Sequence, residues 1–306
     1  METLAERLET LCRSASEHLL LVAPFAKERI VRQMLVATAR EVSVDIVVRW
    51  LPSDIAAGVS DLEIWDVVSS FENARLLVHF DLHAKYFRAD ETCLVGSANL
   101  TGAALGLSAR PNLELLISAE RANPVLSEFE SELFAGCVVV DQPLVDRTRE
   151  AAELMLPASP ALALETDAAE EDESITQAWW IPTLRRPEDL YVSYSGEGEL
   201  LSDGVNEDAR DDLRHLRVPR GLNEPAFNAY VGVVLIRSPA VVKLEGFLGQ
   251  PRRFGEVRRF LESELSVGES ADRKWQALFR WLIYFLPDRF EYRRGRYSEV
   301  IAKRED

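Results

Sequence analysis

Between His83 and Gly102 the chain reads HAKYFRADETCLVGSANLTG, and these residue types suit work on a phosphate. His83 and Lys85 are two apart in a strand-like stretch. Strand side chains alternate with period two, so both point into one site. Asp90 follows at a turn, where it reads as a structural hydrogen-bond acceptor. The next strand ends in Gly96, Ser97 and Asn99. A small-residue turn, a hydroxyl and an amide donor are the right types to line a phosphate. Asn112 and Glu114 open a further strand, where the glutamate is placed to accept from one imidazole nitrogen and fix its tautomer. Singly, each has a plainer reading: a histidine beside a strand is usually structural, and GSxN is a common turn. The joint spacing carries the chemistry. His79 lies four residues before His83 but reads as a packing residue, and Cys93, in TCLV, as core.

The elements around this segment alternate. Residues 2–15 have an amphipathic helical pattern, 19–23 form a short buried strand, and 27–40 return to a helical period. Residues 42–48 are β-branched and strand-like. Residues 51–58 read as a loop on the turn residues Pro52, Ser53 and Asp54. Residues 61–70 read as helix and 75–80 as strand. Three closely spaced strands follow at 84–88, 92–95 and 113–118, then a helix at 123–134 and a short strand at 137–140. This predicts an α/β fold with a mixed β-sheet flanked by helices over residues 1–156. Residues 157–176, PASPALALETDAAEEDESIT, have an acidic linker composition. Residues 177–306 form a second, smaller α+β domain, with strands at 190–194 and 229–237 and helices at 254–265 and 270–285.

The 306 residues allow one large domain or two, and 47% hydrophobic with 28% charged residues excludes a disordered chain. The longest apolar runs, 19–26 and 230–236, fall far short of the roughly 18–20 residues of a membrane span. METLAERLET lacks a secretory pattern, so a cytoplasmic protein is expected. Three widely spaced cysteines offer neither a disulfide framework nor zinc-ligand spacing, and no metal or cofactor is expected. The net charge of −16 hides an asymmetry: residues 213–306 carry 18 bases against 12 acids. Arg252, Arg253, Arg258, Arg259, Arg293 and Arg294 there, interleaved with Phe254, Phe260 and Tyr292, suit phosphate contact and base stacking. The alternative for Arg258 and Arg259 is the solvated face of an amphipathic helix.

The constellation resembles the signature of the phospholipase D superfamily, HxKxxxxD followed by GSxN and a downstream glutamate. Here it reads His83, Lys85 and Asp90, then Gly96, Ser97 and Asn99, then Glu114. The resemblance extends to LLLVAPF, DIVVRWLPSDIAAGVSDLE, GSANLTGAALG and NLELLI, and covers nothing beyond residue 140. It implies phosphodiester cleavage without metal through a covalent phosphohistidine. A neutral imidazole is a competent nucleophile near neutral pH. Lys85 and Asn99 would stabilise charge on the phosphate oxygens, with Glu114 orienting His83 and Gly96, Ser97 and Asp90 in support. A second histidine must protonate the leaving oxygen. The motif occurs once, and His18, His79 and His215 stand in no HxK context. The resemblance therefore implies a twofold homodimer with His83 of each subunit facing the other across the axis.

Superfamily members act on phospholipids or nucleic acids, and fold analogy does not choose. A single motif with an appended unit resembles metal-independent restriction endonucleases. The expected function is a DNA endonuclease of restriction or phage-defence type, without membrane contact. Phospholipid hydrolysis is one alternative. Another is a nucleic-acid-binding subunit, inactive alone, beside a helicase or methyltransferase partner. The acidic first half would repel DNA unless a partner or the basic C-terminal unit delivers it.

Overall fold

A computed structural model describes residues 3–155, 180–264, 271–294 and 299–304. The chain divides into two compact units, Met1–Ala168 and Ala169–Asp306. Residues 157–176, read as a linker, lie outside the described residues.

The first unit opens with α1 (Leu4–Ser14), capped by Thr3, whose side chain accepts from the Glu6 amide while Glu6 returns to the Thr3 amide. It continues through β1 (His18–Val22), α2 (Glu28–Ala37), β2 (Ser43–Val48), α3 (Pro52–Ala56), α4 (Ile64–Ser69) and β3 (Ala74–Val78). Then come β4 (Lys85–Ala89), β5 (Thr92–Gly96), β6 (Leu116–Glu120), α5 (Pro124–Gly136), β7 (Val138–Val139) and α6 (Gln142–Met155). The seven strands form one mixed sheet in the order β6-β5-β4-β1-β2-β3-β7. β1, β2 and β3 run parallel, and β4, β5 and β6 form an antiparallel meander on β1.

β1 is central, and its Leu19 to Val22 are all buried, as a strand covered on both faces requires. Leu20 and Val22 join Val47, Leu77, Tyr86, Cys93 and Leu133 in one core cluster, with Leu126 and Phe129 of α5 packed against it. α1, α2 and α4 form a row of packed helices, with α1 on β4 and α4 on β3. Two elements differ from expectation. Residues 52–56 are helical, because Pro52 presets the first turn. α6 was not anticipated, and Asp141 caps it by accepting from the Leu144 amide at 2.9 Å.

The second unit is mainly helical: α7 (Glu188–Tyr194), α8 (Asp203–Leu216), α9 (Glu224–Ile236), α10 (Pro239–Phe247), α11 (Phe254–Glu264) and α12 (Ala271–Phe285). A small antiparallel sheet has the order β8 (Arg252–Arg253), β10 (Glu299–Lys303), β9 (Phe290–Arg294). The strands expected at 190–194 and 229–237 are helical. Asn223 caps α9 by accepting from the Ala226 amide, Pro225 sits in its first turn, and the apolar run behind them is buried all round. α9 and α10 meet at a 67° bend, and among the described residues no single helix is long and apolar enough to cross a membrane.

Asp212 of α8 anchors the start of this unit. Its buried carboxyl accepts from the Thr183 and Leu184 amides and from Trp180 Nε1. Burial outweighs these donors and pushes the group up to about 7.

Candidate active site

β4 and β5 are a hairpin whose two ends serve different purposes. At its turn, Asp90 adopts a left-handed backbone, with φ of 50°. Its carboxylate accepts from Ser16 N and Oγ at 2.8 Å each, Glu17 N at 3.0 Å and His18 N at 2.9 Å. Against the opposing effect of burial, these four bonds pull the carboxyl down to about 2. Asp90 thus ties the hairpin turn to the start of β1. It lies roughly 16 Å along the strand from Lys85, at about 3.3 Å per residue.

At the open end, Lys85 pairs with Gly96. Exposed His83 precedes the strand, and Lys85 Nζ donates to the His83 carbonyl at 2.8 Å. Ser97 follows Gly96 directly. Its amide donates to the Leu115 carbonyl at 3.0 Å, its Oγ accepts from the Leu115 amide at 3.1 Å, and its hydroxyl donates to the Glu114 carboxylate. Asn112 Nδ2 donates to the other Glu114 oxygen at 3.2 Å. Both Glu114 carboxylate oxygens are thus engaged, one by Ser97 and one by Asn112. The reason is the close approach of the chain at Gly96, where a Cβ would lie 1.8 Å from the Leu115 carbonyl oxygen. Only glycine admits that approach, and it brings Ser97 onto Glu114.

Asn99 is held from below. Its Oδ1 accepts from the Phe25 amide at 3.4 Å. Leu100 N donates to the Phe25 carbonyl at 3.1 Å, and Lys27 N to the Leu100 carbonyl at 2.9 Å. The loop after GSxN is thus zipped to the loop after β1. Arg49, at the end of β2, sits 5.0 Å over the Phe25 ring and grips buried Asp54 with two bonds of 2.9 and 2.7 Å. Sequence reading did not single out Phe25 or Arg49; the proline-led helix start at 52–54 was the available signal. The site therefore sits beyond the carboxyl ends of β1 and β2, the usual location in sheets with parallel strands.

The other two histidines of the first unit are engaged elsewhere. The His79 ring packs against Gly136 and accepts at Nδ1 from the Asp81 amide at 3.2 Å. His18 lies at the far end of β1, between Asp45 at 3.1 Å and Arg88 at 2.8 Å. Among the described residues no group of three or more His, Cys, Asp or Glu is placed to hold a metal ion.

The arginines expected at nucleic acid occupy β8, α11 and β9. Arg252 lies 4.6 Å over the Phe247 ring and faces Glu256 at 3.5 Å. Arg253 donates its amide to Glu256 at 3.0 Å. Arg258 pairs with Glu262 at 3.2 Å, and Arg259 Nε donates to the Gly255 carbonyl at 3.2 Å. Arg293 and Arg294 pair through their backbones with Val300 and Glu299, and their side chains lie outside the described set.

This hairpin-borne constellation on a mixed sheet defines a phospholipase D-like domain. Residues 8–135 match the family described as "Cardiolipin synthase, PLD-like domain". Three solved structures are similar. NucT from Helicobacter pylori aligns at 18% identity and TM-score 0.36, over 45% of this chain and 91% of that one. The phosphatidylserine synthase of Haemophilus influenzae Rd KW20 aligns at 12% identity and TM-score 0.39, over 58% of this chain and 45% of that one. TrmBL2, an archaeal chromatin protein, aligns at 14% identity and TM-score 0.32, over 45% of this chain and 49% of that one. No curated protein sequence matches the chain.

Proposed function

We propose that this protein is a DNA-cleaving phosphodiesterase that works through His83 in a site completed by a second copy of the chain. The observation that carries the reading is the exposure of His83 at the open end of the hairpin, where Lys85 Nζ reaches its carbonyl. In this mechanism an imidazole nitrogen attacks phosphorus and the phosphorus–oxygen ester bond breaks. The leaving oxygen takes a proton from His83 of the partner subunit. Water then attacks the phosphohistidine, passing its proton back to the partner's His83. Lys85 and Asn99 stabilise the charge that develops on the non-bridging oxygens.

An uncovered apolar surface supports the second copy. Leu113, Leu115 and Ile117 alternate along the edge of the sheet and are 103%, 60% and 54% exposed. Val125 and Phe134 of α5 are exposed as well. Exposed apolar side chains of this kind suit an interaction site, and β6 is an edge strand, where Arg7 Nη1 donates to the Leu116 carbonyl at 2.7 Å.

The test is cleavage of plasmid and single-stranded DNA in excess EDTA, with His83→Ala alongside. Cleavage that survives EDTA and vanishes in the variant supports the reading. Cleavage of a phosphatidyl substrate in its place would reassign the substrate. No cleavage of either by a folded dimer would favour a subunit that needs a helicase- or methyltransferase-type partner.

A further inference from the structure

The second unit holds a cleft that the proposed chemistry leaves unused. It measures about 930 Å³ and is built by residues 184–189, α8 and α12. That volume falls within the range of ligand sites. Its floor is apolar and aromatic, with Val205, Phe279, Ile283 and Tyr284. Its lip carries opposite charges on different walls. Arg280 donates to the Arg185 carbonyl at 3.2 Å, and Arg185 donates to Gln276 at 3.4 Å. Both exposed guanidiniums therefore meet neutral groups, and among the described residues neither pairs with a carboxylate. Arg186 differs, because it faces Glu188 at 3.4 Å and Asp189 at 3.7 Å. On the α8 wall, Asp208 has no hydrogen bond or ion pair among the described residues. Partial burial, then Asp211 and Glu207, push its carboxyl up, and Arg273 opposes them.

We infer that this cleft binds one nucleotide of a single-stranded nucleic acid, its phosphate on Arg185 and Arg280, its base on Phe279 and Tyr284, and the base's exocyclic amino group on Asp208. Guanidinium forks suit phosphate geometry. Aromatic faces stack bases without regard to sequence. A carboxylate accepts from the amino group of cytosine and has nothing to accept from O4 of thymine, which is itself an acceptor. Arg252 and Arg258 already face Glu256 and Glu262, so Arg185 and Arg280 are the better-placed phosphate ligands. The inference rests on the nuclease reading of the first unit.

The experiment uses the full chain with His83→Ala, to prevent cutting, and fluorescein-labelled oligo-dC and oligo-dT followed by anisotropy over a salt series. Oligo-dC is expected to bind about tenfold tighter than oligo-dT. The Arg185→Ala/Arg280→Ala pair should weaken both about tenfold or more and reduce the salt slope by about two. Asp208→Asn should remove the preference for dC. Circular dichroism confirms folding of each variant. Unchanged binding in the Arg185/Arg280 pair, a dC preference that survives Asp208→Asn, or no binding of either oligonucleotide by folded protein would overturn the inference. Cleavage by the wild-type chain is scored separately. Binding without cleavage would remove the nuclease reading and leave the cleft; cleavage with unaffected arginine variants would do the reverse.

Discussion

Gly96 and Leu115 meet backbone to backbone: a Cβ at position 96 would lie 1.8 Å from the Leu115 carbonyl oxygen and 2.8 Å from its carbon. Because the obstacle is main chain, no rotamer change relieves it. Gly96→Ala should destabilise the first unit by about 3 kcal/mol or more and abolish turnover by separating Ser97 from Glu114. Thermal unfolding and phosphodiesterase assays check both. A variant with parental stability and activity would show that the strands can separate here at no cost.

His83 is exposed and supports no core packing. His83→Ala should leave the melting temperature and the oligomer unchanged while reducing turnover about 1000-fold or more. Size-exclusion chromatography and kinetics on the same preparation read the two effects independently.

Asp90 predicts the opposite pattern. Its folded-state carboxyl lies near 2, below the ordinary value of 3.8. The depressed group stabilises the fold above about pH 4, and this contribution is lost as pH falls toward 2. Asp90→Ala should lower stability by a few kcal/mol through four lost hydrogen bonds and flatten the acid limb of the stability curve. Asp90→Asn should be milder, since asparagine tolerates the left-handed backbone. Denaturant melts at pH 3 and pH 7 measure this.

Asp212 reverses the sign. Its carboxyl is raised to about 7 from 3.8, so between those values the folded chain binds more protons than the unfolded one. Stability of the second unit should fall as pH rises from 4 to 7, by up to about 1.4 kcal/mol per pH unit. Asp212→Asn should remove that slope. A parental slope in the variant would assign the effect elsewhere.

The apolar edge gives the fifth expectation. Leu113→Lys with Ile117→Lys should shift the chain to monomer and abolish turnover without lowering the melting temperature, because both side chains are exposed. Light scattering and kinetics report on it. An active monomer would show that one His83 suffices.

Much of the first unit was legible because its strands are short apolar runs between clear helix periods and turns. LLLV announced the central strand, and HxK with GSxN announced the phospholipase D-like domain. The bonds of Glu114 to Ser97 and Asn112 were not legible, since sequence spacing carries no information on the close approach at Gly96. Phe25 and Arg49 escaped notice because their relation to Asn99 is purely tertiary. In the second unit, AYVGVVLI was read as a strand. An apolar run of that length does not distinguish strand from buried helix, although Asn223 and Pro225 in front of it are a helix start.

Lys85, Gly96, Ser97 and Asn99 all belong to one hairpin and the turn that leaves it. Hairpins of this kind close within about 1–10 μs, whereas pairing β1 with β4 must bring together residues some seventy positions apart. These side chains can therefore assemble early, as a local event. The Asp90 tie to Ser16 and the Phe25 hold on Asn99 come only with the distant strand. Folding order then separates the acquisition of the reactive groups from the acquisition of their rigidity.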